Sequence, residues 1–142
     1  MTSSAFDNLS GPGKPLKPEP ADATEFSELM RSGLARLMDG GKAELSLDSR
    51  FDLAYNASHA LSLAALRWHG YRSSQRYVVF QMLPHTLGLG PDVWRVLAKG
   101  HELRNLGEYE GSLAIDERIV ADLIAACHRV AERIRALDPL AP

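Results

Sequence analysis

Arg104 stands where a leucine would be expected. In the stretch Gly100 to Gly111, GHELRNLGEYEG, a helical wheel at about 100° per residue puts it inside an apolar stripe. Val93, Val96, Leu97 and Leu103 draw that stripe, with Gly100 and Gly107 about one turn either side. A guanidinium cannot discharge itself by losing a proton, and burying it unpaired costs several kcal/mol. It therefore needs an acceptor. Glu108, four residues on, is one; a second copy of the chain or an anionic ligand gripped by the planar five-donor fork are the others. His101, Asn105 and Glu108 share a flank of the same helix, and Lys99 adds a cation nearby. A histidine, an arginine and an amide within two turns can hold a phosphate and pass a proton near neutral pH. The same spacing also describes the solvated side of an amphipathic helix. Tyr109 points to the other side.

Asn56 and His59, three residues apart on an otherwise apolar segment, need partners if they are buried, and the Arg104 group is one place to find them. They complete a phosphate- or RNA-binding set of Arg104, His101, Lys99, Asn56 and His59. The five histidines show no H-x-x-x-H or H-E-x-x-H spacing and Cys127 is the only cysteine, so neither a metal nor another cofactor is expected. Ser58 and Ser62 lie in no nucleophile-elbow context, and HTLGLGPD lacks the spacing of a phosphate loop.

These residues must be positioned by helices. With 142 residues and 45% hydrophobic content, the chain is one domain long enough to bury a core. Residues 1–21, with SGPGKPLKPEP, are expected to form a disordered tail, and residues 22–138 a helical domain. Asp22 or Thr24 caps a first amphipathic helix that stops at Gly40 and Gly41. An alanine-rich second helix runs from about Leu47 to His69, apolar nearly all round as a bundle centre would be. A short third helix, from about Ser74 to Leu83, ends or kinks at Pro84, and Pro91 with Asp92 opens the fourth. The last starts at Asp116, and its apolar residues step alternately by three and four from Val120 to Leu137. No segment alternates with period two, so no strand is expected. The fold class is all-α, an antiparallel bundle of four to five helices.

Charge adds a regional clue. The net charge of -2 argues against a molecule-wide grip on nucleic acid. Between residues 67 and 104, however, Arg67, Arg72, Arg76, Arg95, Lys99 and Arg104 outnumber Asp92 and Glu102. No apolar run reaches the roughly 18 residues of a membrane span, and the first residues lack a secretory layout. A cytoplasmic protein without membrane contact is the expectation.

The segments SELMRSGLARLMDGG and DSRFDLAYNASHALSLAALRWHGYR resemble the opening helix pair of HEPN domains. HELRNLGEYEG followed by DERIV is similar to the segment carrying that family's signature, so the likeness spans about Thr24 to Leu137. It implies a small helical bundle that dimerises and brings one motif from each chain into a shared cleft. Many such domains are metal-independent ribonucleases; others are non-catalytic partners of nucleotidyltransferases or toxin–antitoxin components. Arg104 matches the motif arginine and Asn105 its polar follower. The motif histidine has no match, because its positions hold Tyr109, Glu110 and Gly111, while His101 precedes the arginine. A tyrosine, with its pKa near 10, is a poor base at neutral pH. The resemblance thus implies a homodimer that binds RNA or a nucleotide without cutting it. The alternatives are a ribonuclease using His101 or Tyr109 with Arg104, and an interaction module with a vestigial cleft.

Overall fold

The computed structural model describes residues 4–110 and 115–141, with side chains for 5–107 and 115–141. The chain forms α1 (Ser4–Leu9), β1 (Lys17–Pro18), α2 (Ala23–Gly40), α3 (Leu47–Trp68) and β2 (Tyr71–Arg72). It continues through α4 (Arg76–Gln81), α5 (Leu83–Thr86), α6 (Pro91–Glu110) and α7 (Glu117–Arg135). It is an all-α bundle. No helix among the described residues is long and apolar enough to cross a membrane.

Local chemistry sets the helix ends. Asp22 accepts from the Glu25 amide at 2.9 Å and Asp116 from the Ile119 amide at 2.8 Å, so each side chain satisfies an amide the first turn leaves open. Ser46 does the same for Ser49 at the start of α3. Pro84 falls in the first turn of α5, where its missing N–H costs nothing, so the expected third helix is divided into α4 and α5.

Pairings along the helices give their directions. A Cβ on Gly33 would lie 2.9 Å from Leu61, and one on Gly40 would lie 3.3 Å from the Arg50 carbonyl, so α2 runs antiparallel to α3 with the backbones in close approach. On α6, Arg104 and His101 face Asp52 and Tyr55 of α3, again antiparallel. Asp92 pairs with Arg129 at 3.7 Å while Gly100 meets Leu123, which sets α6 antiparallel to α7. The alternation leaves α3 and α7 parallel, with Arg50 reaching Glu117 and Cys127 Sγ donating to the Ala54 carbonyl. Phe51, Tyr55, Leu61, Leu97, Leu123 and Val130 fill the centre, and α3 is buried on several sides as its composition requires.

The N-terminal segment corrects an expectation. Residues 5–20 fold back over the end of α3 instead of trailing as a tail. Phe6 and Leu16 are buried with Leu66, Val78, Val79 and Met82, and Phe6 stacks on Tyr71 at 4.8 Å. Two apolar residues spaced ten apart give no periodic signal, but each finds a prepared hole. The strap is pinned by β1, which pairs antiparallel with β2, two residues each, where no strand was expected. Arg67, 2% exposed, is surrounded by it. Its Nε donates to Glu25, its Nη1 to the Glu19 carbonyl at 2.9 Å and its Nη2 to the Pro20 carbonyl at 2.7 Å. Arg72 donates to the same two carboxylates, Glu19 and Glu25. Burial pushes the Glu25 carboxyl up, yet the hydrogen bonds from Arg67 and Arg72 outweigh it and hold the group below its ordinary range.

Candidate anion-binding site

The buried ring of Tyr55, on α3, is the floor of the site. Its hydroxyl meets His101 Nδ1 at 2.9 Å, and two guanidiniums lie over the ring: that of Arg104 at 5.0 Å from the centroid and that of Arg76 at 5.6 Å. A cation over an aromatic face is attracted by the ring quadrupole, by about 0.5–2 kcal/mol. This answers part of the question Arg104 raises. Its side chain is 31% exposed and leans on a tyrosine of its own chain, at the margin of the apolar stripe, with Nε 4.0 Å from Asp52 Oδ1. That separation is too long for a hydrogen bond.

Three helices contribute. From α3 come Asp52, Tyr55, Asn56 and His59; from α4, Arg76, Tyr77 and Phe80; from α6, His101, Arg104 and Asn105. Asn56 donates to the Asp52 carbonyl at 2.8 Å, one turn back along α3. Asn105 Nδ2 lies 3.2 Å from His101 Nε2. An amide nitrogen only donates, so Nε2 faces the Asn105 amide while Nδ1 meets the Tyr55 hydroxyl. Both ring nitrogens of His101 are thereby engaged. It positions Tyr55 and Asn105.

His59 is more than half-buried and meets Phe80 edge to face, with ring centroids 6.3 Å apart. Its pKa is pushed down to about 4, first by burial and then by the charges of Arg76 and His101. It is neutral at pH 7 and keeps a lone pair. Arg76 supplies the sharpest irregularity. Its Nη1 is buried and has no hydrogen-bond partner among the described residues. Buried polar atoms are nearly always satisfied, so this donor is an unfilled position in the cluster, one that an incoming acceptor reaches once the Arg76 side chain shifts toward it. Two guanidiniums, amides from Asn56 and Asn105 and a neutral histidine can together hold a phosphate and spread its charge.

The structure brings together Arg104, Asn105, His101, Asn56 and His59 from the expected set. Lys99 is a correction. Two residues before His101, it is turned some 200° round the helix and lines a cavity of about 310 Å³ between α6 and α7 with Arg95, Val96 and Leu103. That cavity is mostly apolar and suits a hydrocarbon group better than an anion. The side chains of Glu108 and Tyr109 lie outside the described residues. Arg76, Tyr55, Asp52 and Tyr77 escaped the sequence reading. Arg76 figured only in a charge count, although a tyrosine in an alanine-rich helix was a signal available for Tyr55.

The basic region also separates into unlike parts. Arg67 and Arg72 are bound by Glu19 and Glu25, Arg95 and Lys99 face the other groove, and Arg76 and Arg104 remain at the site. No group of three or more His, Cys, Asp or Glu able to hold a metal occurs among the described residues. Cys127 is fully buried, its thiol pushed up to about 12 by that burial, and it cannot serve as a nucleophile. Compared with known proteins, the chain matches no family model, no curated protein and no solved structure.

Proposed function

We propose that this chain is a HEPN-like cytoplasmic module, working as a homodimer, that binds the phosphates of RNA or of a nucleotide without cutting them, with a nucleotidyltransferase or antitoxin as a possible class of partner protein. One observation carries the binding reading: Arg76 and Arg104 converge on a single tyrosine ring, and Arg76 keeps a buried donor with no acceptor among the described residues. A phosphate oxygen is a small, charged acceptor able to satisfy that donor when the Arg76 side chain turns toward it. Two engaged nitrogens on His101 support binding over cleavage, since a proton-transfer group needs a lone pair within reach of the substrate hydroxyl.

The test is titration of a fluorescein-labelled six-nucleotide RNA in EDTA, followed by anisotropy, with the oligonucleotide then run on a gel. Wild-type binding that is lost in Arg104→Gln, with the RNA intact, is the expected result. No binding by the wild type sinks the reading. A second reading, metal-independent ribonuclease, is favoured by the two histidines in the cluster. RNA cleaved by the wild type but intact with Arg104→Ala would replace binding with catalysis. Sedimentation at micromolar concentration tests the dimer, and a purely monomeric species removes it.

A further inference from the structure

Tyr77 is the next residue to explain. It follows Arg76 on α4, a helix of six residues, and 39% of its surface is exposed. Its ring leans toward the cluster, with its centroid 6.3 Å from that of His101 at an angle of 57°. Neighbouring Val78, Val79 and Phe80 are all buried, so the helix is already anchored without this tyrosine. An aromatic ring left in water loses the stabilisation its burial would provide. Its neighbour in sequence, Arg76, carries the buried Nη1 that has no hydrogen-bond partner among the described residues.

Both irregularities are relieved by one kind of ligand. A phosphate alone would satisfy Arg76 and leave Tyr77 bare. An apolar molecule would cover Tyr77 and leave Arg76 unpaired. A nucleotide carries a strongly accepting phosphate and a flat base on one short scaffold. We infer that Tyr77 is a stacking platform for an unpaired base, so that the site formed by Arg76, Tyr77 and Arg104 takes single-stranded nucleic acid and discriminates against duplex. This rests on the phosphate-binding reading above and adds the class of ligand. In a duplex the bases are stacked on one another and cannot reach a side chain beside the backbone; in a single strand they can splay onto aromatic rings. Stacking tolerates any base, because each has a π face, so the platform selects strandedness and not sequence.

The experiment uses the full chain and four labelled probes: a six-nucleotide oligoadenylate as RNA and as DNA, a six-unit abasic deoxyribose-phosphate strand, and a duplex. Wild type is expected to bind both base-bearing single strands more tightly than the abasic strand or the duplex. Tyr77→Ala should weaken the base-bearing strands about 10-fold, the scale of one lost base stack, and leave the abasic strand unchanged. Tyr77→Phe, which keeps the ring, should restore binding. Circular dichroism of Tyr77→Ala should match wild type, as an exposed residue requires. Equal affinity of wild type and Tyr77→Ala for oligoadenylate overturns the inference, as does a duplex bound as well as a single strand. If Arg76→Met abolishes binding in that same series while Tyr77→Ala does not, the phosphate site stands and the platform falls. If wild type binds none of the four, both fall.

Discussion

Arg67 and Arg76 are nine residues apart in sequence and opposite in design. The guanidinium of Arg67 is buried and enclosed: carboxylates from Glu19 and Glu25 and carbonyls from Glu19 and Pro20 meet its three nitrogens. That of Arg76 rests on an aromatic ring, with Nη1 sealed from water and no partner among the described residues. The same residue type therefore does two jobs. An arginine whose fork is filled by its own chain is a structural clamp; one whose fork is left incomplete beside another cation, Arg104, is arranged for something that arrives. Burial alone does not separate the two cases. The set of acceptors does.

The largest effect should come from breaking the clamp. Arg67→Met leaves the Glu25 carboxylate to Arg72 alone and frees the strap from α3. Removing one partner of a buried pair costs about 3–5 kcal/mol, which for a domain of this size lowers Tm by roughly 10 °C. Differential scanning calorimetry reads it directly. A loss below about 2 °C would show that Arg67 is no more structural than Arg76.

At the site, the expected losses are in affinity. Arg104→Gln and Arg76→Met should each weaken binding of the labelled hexanucleotide about 10- to 100-fold, the worth of a charge-assisted hydrogen bond. Arg67→Met, measured at a temperature where it stays folded, should bind within about 2-fold of wild type. Binding lost equally in all three variants would erase the distinction between clamp and site.

Legibility in the sequence follows the same divide between local and distant causes. Asp116 could be read at once and Asp22 as one of two candidates, because a cap acts on amides within three residues, and Pro91 marked a helix start by its fixed backbone angle. The apolar seam of α7 was visible for a similar reason, helix periodicity being written in the segment itself. Arg67 could not be separated from surface charge, since apart from the Tyr71 carbonyl its acceptors come from residues 19, 20 and 25, more than forty positions away. Phe6 and Leu16 looked like part of a polar, proline-rich tail because only the far end of α3 gives them a place to be buried. Arg104 stood out because it breaks its own helix's pattern. Arg76 breaks no pattern in six residues of α4, and only the packing of α4 beside α6 places it on Tyr55.

Acid should sharpen the contrast by acting on each region in its own pH range. Burial, Arg76 and His101 hold His59 at about 4, below the ordinary 6.5 of histidine. As pH falls below about 6.5 the unfolded chain takes up this proton first, so stability declines until about pH 4, where the folded protein takes it up too. The decline is on the order of 3 kcal/mol, and urea midpoints for wild type and His59→Gln should show it in the first and not the second. The Glu25 carboxyl is shifted the other way about its own normal range: its depressed pKa stabilises the folded state above the usual carboxylate value and that stability disappears as pH falls further. Glu25→Gln should remove this lower limb while leaving the His59 limb intact. Identical curves for wild type and His59→Gln between pH 7 and 4 would mean that the histidine is not held neutral by the cationic pocket.

The smallest expected change is the most discriminating. In ligand-free protein Arg76→Met should leave Tm unchanged or raise it by about 1–2 °C. The long apolar stem is conserved in shape, so packing on Tyr55 survives, while a buried donor without an acceptor among the described residues is removed together with its desolvation penalty of about 1–3 kcal/mol. Against this gain stands the lost attraction to the Tyr55 ring, about 0.5–2 kcal/mol. The two nearly cancel, with the desolvation effect slightly ahead. Below about pH 6.5 His59 adds to the gain, since removing a cation that opposes its protonation relaxes the acid-side loss as well. A mutation that is neutral or stabilising in the empty protein and damaging to ligand binding is the signature of a residue kept for function. A fall in Tm comparable to that of Arg67→Met would instead place Arg76 among the clamps, held by its own chain like its neighbour nine residues earlier.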